Sequence, residues 1–158
     1  MQQSRRPVAH DLPVADDLYD QDFFAWTQKT AALVRARRFD QLDVNYLAEE
    51  IEDLGRRDRR EVSSRLTVLM THLLKWQLQP EQRQRSKSWI ATIDTQRREL
   101  EGIFEQSPSL KPYAAEYMEK AYLRAVKSFR LETGLDRPLP ATPPFTLEQI
   151  LDNDFLPG

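Results

Sequence analysis

Residues 44–78 read VNYLAEEIEDLGRRDRREVSSRLTVLMTHLLKWQL, and the spacing of apolar residues in this stretch decides the fold class. Leu47, Ile51, Leu54, Val62, Leu66, Leu69, Leu73 and Trp76 step by threes and fours, the repeat of one α-helical face. The stripe keeps its phase across Gly55 and is interrupted only by Asp58. Asp43 stands where an N-cap belongs, and Glu49, Glu50, Glu52 and Asp53 follow near the start, the end of the helix dipole that favours anions. One helix over 44–78 would be roughly 50 Å long. A compact domain of this size has a radius of gyration of about 15 Å, or a diameter of about 40 Å. The helix is therefore expected either to bend near Gly55 to Asp58 or to belong to an elongated molecule that pairs with a partner.

Working outward, Phe23, Trp26, Thr30, Leu33, Val34 and Arg37 recur at helical spacing behind a possible cap at Asp22, which predicts a helix over 21–37. Residues 1–18 mix Pro, Asp, Arg and Gln without periodicity and read as a loose arm. On the other side, Gln79-Pro80 ends the long helix, because proline disfavours helix in the residue before it. Trp89, Ile93, Gln96, Leu100 and Ile103 predict a helix over 86–106. After the breaker Ser107-Pro108-Ser109, the residues Tyr113, Tyr117, Ala121, Leu123, Ala125, Val126 and Phe129 predict one over 110–132, closed by Gly134. Five of the ten prolines fall between Pro138 and Pro157, so 138–158 is expected to be a tail packed on the surface. Within it, Thr146 and Gln149 have capping-box spacing ahead of one short helix. The expected fold is all-α: a single-domain bundle of four main helices over 19–137, with an arm before it and a Pro-rich tail after it.

Composition narrows the chemistry. The 158 residues contain no cysteine, which excludes disulfides, thiolate nucleophiles, zinc fingers and iron–sulfur clusters. The first 17 residues carry no apolar run, and no segment approaches the ~20 apolar residues that span a bilayer, so a cytoplasmic protein without membrane partners is expected. No glycine-rich phosphate loop and no recognisable nucleophile motif occurs.

The net charge of −2 conceals a pattern. Residues 1–55 hold 6 basic and 11 acidic side chains, a balance of −5, and residues 99–158 hold 6 and 10, a balance of −4. Residues 56–98 hold 11 and 4, a balance of +7. Arginines interleaved with aromatics can hold phosphates and stack bases of RNA, and Arg56, Arg57, Arg59, Arg60, Arg83, Arg85, Lys87 and Arg98 are the candidates. The competing reading is a solvated face neutralised by acidic flanks and by pairs such as Glu61 with Arg65.

Of the two histidines, His10 lies in the arm, while His72 falls beside Val68, Leu69 and Trp76 at the edge of the apolar stripe. A histidine there is either hydrogen-bonded at the core edge or available for proton transfer or phosphate contact. The carboxylates at 49, 50, 52 and 53 suit a hard cation in principle. Stabilisation of the helix start together with pairing to Arg56, Arg57 or Arg60 is the favoured account of them, and no metal or cofactor is expected. A helical di-iron site fails because Leu69, not a glutamate, stands three residues before His72. Gln96 on an apolar stripe needs hydrogen-bond partners, with Lys75, Arg97 and His72 as candidates.

Several segments carry a resemblance: Tyr19 to Trp26 (YDQDFFAW), Leu47 to Gly55 (LAEEIEDLG), His72 to Trp76 (HLLKW), Gln79-Pro80, Ser88 to Arg97 (SWIATIDTQR), Pro108 to Leu110, Glu132 to Leu135 (ETGL) and Phe145 to Phe155 (FTLEQILDNDF). Together they resemble the bacterial domain-of-unknown-function family twenty-nine, frequent in cyanobacteria. The resemblance implies a compact helical protein and supplies no activity. Leu78 stands where a tyrosine before Gln-Pro is common, and Pro143 where a cysteine is common, which favours a structural role for the tail. It also singles out Glu49, Glu52, His72, Lys75, Ser88, Thr92, Gln96 and Arg97, polar residues that would converge if the second and third helices pack antiparallel. They would then form a packing network or the floor of a ligand cleft. The expected function is a non-enzymatic binding protein that uses 56–98 for RNA or another phosphate-bearing partner. The alternatives are an interaction module or homodimer, and an enzyme using His72 with a carboxylate.

Overall fold

A computed structural model describes residues 15–85 and 87–158. His10, residues 1–14 of the expected arm and Ser86 lie outside the described residues. All regular structure among the described residues is helical: α1 (Ala15–Gln21), α2 (Phe23–Arg35), α3 (Val44–Leu78), α4 (Lys87–Gln106), α5 (Leu110–Thr133) and α6 (Leu147–Leu151), with single 3₁₀ turns at Phe39–Gln41 and Pro80–Gln82. None of these helices is long and apolar enough to cross a membrane. Four long helices, α2 to α5, are present as expected, and α3 is one helix across Gly55 and Asp58. The chain divides into two compact units, Met1–Asp53 and Leu54–Gly158.

In the first unit, residues 15–18 are helical rather than part of an arm. Asp22 separates α1 from α2 and caps the latter, its carboxylate accepting from the Ala25 N–H at 2.9 Å. Asp43 does the same for α3 through Tyr46 N–H at 3.0 Å. The helix expected to reach residue 37 ends at Arg35, because Arg37 adopts a left-handed φ of 57°. Its N–H and that of Arg38 turn back onto the Val34 and Leu33 carbonyls, closing the helix end. Tyr19 of α1 stacks on Tyr46 at 4.3 Å and meets Trp26 edge-on at 5.0 Å. Its hydroxyl donates to Glu50 at 2.6 Å. That bond, burial and the nearby Glu49 and Asp53 raise the phenol from 10.0 to about 12.

The second unit holds the main core. Val62, Leu66, Leu69, Met70, Leu73 and Leu74 come from α3, and Ile93 and Leu100 from α4. Leu110, Ala114, Met118, Ala121, Tyr122, Ala125 and Phe129 come from α5, and Phe145, Leu147 and Ile150 from the tail. Three fully buried alanines on α5 leave its backbone within close reach of its neighbours. The stripe on α5 is rotated from the sequence reading: Tyr122 is buried, while Leu123 is 62% exposed. Gly134 closes α5 with φ 68°, the left-handed cap position at which only glycine is unstrained.

The Pro-rich tail does more than lie over the surface, since it contributes three core side chains and is held by four hydrogen bonds from two polar side chains. Tyr122 donates its hydroxyl to the Pro140 carbonyl at 3.0 Å. Arg97 on α4 is 4% exposed. Its Nε donates to the Ile150 carbonyl at 2.8 Å, Nη1 to Asn153 at 3.3 Å and Nη2 to Phe155 at 2.6 Å. The α6 capping box forms as the spacing predicts, with Thr146 and Gln149 exchanging bonds at 2.9 and 3.2 Å.

Replacing Arg97 by methionine keeps much of its volume and removes all three donors. Urea unfolding of Arg97→Met is expected to show a loss of about 3 kcal/mol, against about 1 kcal/mol for Thr146→Ala at the α6 cap. A loss for Arg97→Met below about 0.5 kcal/mol would mean that apolar packing alone holds the tail.

Candidate functional site

The α3 residues Arg56, Arg59, Arg60, Ser63, Ser64 and Thr67 are spaced by threes and fours and so share one helical face. Residues Tyr113, Tyr117 and Arg124 share a face of α5 by the same rule. The two faces meet over a cleft of about 410 Å³, lined by Arg59, Arg60, Ser63, Ser64, Thr67, Val68, Tyr113, Tyr117 and Arg124. Its described lining holds three guanidiniums and no carboxylate.

The hydroxyls of the cleft are ordered by the helix. Ser63 donates to the Arg59 carbonyl at 2.8 Å, and Thr67 donates to that of Ser63 at 2.9 Å. With the Ser63 proton so engaged, the 2.8 Å contact between Ser63 Oγ and Tyr113 Oη has the tyrosine as donor. Tyr113 and Tyr117 stack with ring centres 5.7 Å apart. The Arg59 guanidinium lies over Tyr113 at 5.4 Å and that of Arg124 over Tyr117 at 5.6 Å. Cation–π contact holds both charged heads in place without neutralising them.

The other candidate cations are arranged differently. Arg83 donates from Nε to the Trp76 carbonyl at 2.7 Å and lies over the Trp76 ring at 5.2 Å. Arg98 pairs with Asp94 at 3.7 Å. Arg56, Arg57, Arg85 and Lys87 are exposed. Arg65 is bridged to Glu61 at 2.7 Å and to Glu99 at 3.2 Å. The +7 segment is therefore part open face and part local ion pairs.

The eight polar residues singled out by motif divide between separate partners. Glu49 and Glu52 are exposed in the first unit. In the second, Lys75 is buried and ion-paired with Glu132, and His72 lies close enough to feel both charges. Ser88 is exposed, and its carbonyl accepts from the Thr92 hydroxyl at 2.9 Å. Gln96 accepts from Arg65 Nη1 at 3.3 Å, so its partner is none of the three that the sequence suggested. Arg97 serves the tail, and burial lowers its pKa below the usual guanidinium range, opposed by Asp152 and Asp94. Among the described residues no group of three or more histidines and carboxylates could hold a metal ion.

Arg124, Tyr113, Tyr117 and Glu132 were not singled out by the sequence reading. The two tyrosines read as core stripe, and Arg124 falls in a segment whose balance is −4. The signal lies in helical phase: positions 113, 117 and 124 line up with one another, which a sum over consecutive residues averages away.

His72 is half-buried, with Nδ1 at 2.9 Å from the Val68 carbonyl, so the neutral ring carries its proton there. Burial pushes its pKa below 6.5; Lys75 acts in the same sense, and Val68 and Glu132 oppose it. The unfolded chain therefore binds this proton more readily than the folded one. The stability tied to the neutral ring is complete above pH 6.5 and is lost as pH falls through the lowered value. Thermal melts of the wild type and His72→Gln between about pH 8 and 5 are expected to show a smaller acid-side drop in the variant. Parallel profiles would mean that His72 titrates alike in both states.

The family model described as domain of unknown function DUF29 matches residues 18–156. No curated protein and no solved structure matches the chain. The matched span contains every residue of the cleft, of the Lys75–Glu132 pair and of the Arg97 clasp, and the chain belongs to the DUF29 family.

Proposed function

We propose that this chain is a non-enzymatic binding protein that holds RNA by its phosphates at the α3–α5 cleft. The observation that carries the reading is the convergence of Arg59, Arg60 and Arg124 on one concavity without a carboxylate in its lining. A guanidinium is permanently charged and presents a planar fork of donors that matches phosphate oxygens. Two of the three are already positioned over tyrosine rings, so less rotamer freedom is lost on binding. The lining offers no histidine or carboxylate as general base, and its Ser63 proton is committed to a backbone carbonyl, which favours binding over catalysis. A cytoplasmic location suits an RNA partner.

Fluorescence anisotropy with labelled RNA at about 50 mM salt is expected to show binding that weakens steeply as salt rises. Arg59→Ala, Arg60→Ala and Arg124→Ala are each expected to flatten the log K against log salt slope by about 1, and Arg85→Ala to leave it unchanged. Absence of binding at low salt, or binding indifferent to salt, refutes the reading.

A second reading, a homo-oligomer, is favoured by the first unit. Trp26 is its one buried hydrophobic side chain among the described residues, while Phe24, Phe39, Val44 and Ile51 are 72%, 59%, 64% and 61% exposed. The acidic balance of residues 1–55 complements the basic balance of 56–98 in a second copy. Light scattering is expected to show mass rising with concentration, and less so in Ile51→Glu. A monomer mass throughout removes this reading.

A further inference from the structure

We infer that the α3–α5 cleft takes an unpaired nucleotide, so that the protein selects single-stranded over duplex RNA; this rests on the RNA reading above. Phosphate contacts alone do not discriminate between the two, because both present a charged backbone. What separates them is access to the faces of the bases. In a duplex those faces are covered by neighbouring pairs, whereas in a single strand a base can be splayed out and stacked on an aromatic ring or a guanidinium plane.

The cleft is built for the second case. Tyr113 and Tyr117 lie against one another at 5.7 Å, and each also carries a guanidinium, at 5.4 and 5.6 Å. A base that stacks on either guanidinium meets a head held in place over a ring, which gives stacking and charge at one place. The volume of about 410 Å³ suits one nucleotide unit, while a double helix is gripped over an extended surface that follows its grooves. The neighbouring hydroxyls line the same space: Ser64 can donate or accept, and Thr67 Oγ1, its proton given to the Ser63 carbonyl, accepts from a base edge or a ribose 2′-hydroxyl.

Arg59 and Arg124 thereby have two separable tasks. Their charge serves the phosphate, and their plane serves the base. Lysine keeps the first and loses the second. Stacking of a single base is expected to favour the single strand by about tenfold.

The test is competitive anisotropy on the full chain, with a single-stranded RNA of about 10 nucleotides and the duplex of the same sequence at one salt concentration. The wild type is expected to prefer the single strand about tenfold. The double variant Arg59→Lys, Arg124→Lys is expected to keep the salt slope while binding both forms alike. Equal affinity of the wild type for both forms, or preference for the duplex, overturns the inference and leaves the RNA reading in place. A preference that survives in the double lysine variant overturns the assignment to the guanidinium planes. No binding of either form overturns inference and RNA reading together.

Discussion

A buried guanidinium must give its N–H groups to acceptors, and inside a helical unit nearly every backbone carbonyl is already taken. Arg97 meets this constraint by recruiting Ile150, Asn153 and Phe155, whose carbonyls lie at the end of α6 and in the irregular chain beyond it, where no helical partner exists. The need runs both ways. The tail, too short in regular structure to satisfy its own carbonyls, gains donors for them, and α4 gains cover for a charge that burial would otherwise penalise heavily. Phe145, Leu147 and Ile150 are then held in the core, and Phe145 meets Phe155 edge-on at 5.7 Å. The second unit is thus closed by a polar fastening around which apolar side chains pack.

The same helix can line both core and cleft because its faces are separated by angle. On α3, Val62, Leu66, Leu69 and Leu73 point into the core, while Arg59, Arg60, Ser64 and Thr67 line the cleft. On α5, Ala114, Ala121 and Ala125 sit in the core, with Tyr113, Tyr117 and Arg124 on the cleft side. Small and apolar residues on one face fill the core, and long cationic and aromatic ones on the adjacent face wall the concavity. A packed core and an open cleft are two results of one arrangement.

Long-period features were legible in the sequence. The extent of α3, the caps at Asp22, Asp43 and Gly134 and the box at Thr146 and Gln149 each follow from local rules whose partners lie within four residues. The early end of α2 was not, since it depends on Arg37 adopting a left-handed conformation that arginine rarely takes. Ile51 and Leu54 carry the right phase and still stand 61% and 59% exposed, because periodicity tells which residues share a face and not whether anything covers it. The partners of Gln96, Lys75 and Arg97 lie 31, 57 and 53 or more residues away, beyond any local pattern. Half of the cleft was visible as Arg59 and Arg60. The other half, on α5, required knowing which helix lies alongside α3.

The Arg97 clasp also sets a schedule for synthesis. Its last acceptor, Phe155, is 58 residues downstream, and at about 5–20 residues per second a ribosome needs roughly 3–12 s to make that interval. Until then α4 exists without the carbonyls that let its arginine leave water. The full set of acceptors for Arg97 is therefore available only once residue 155 has been made, and no shorter nascent chain can complete the clasp.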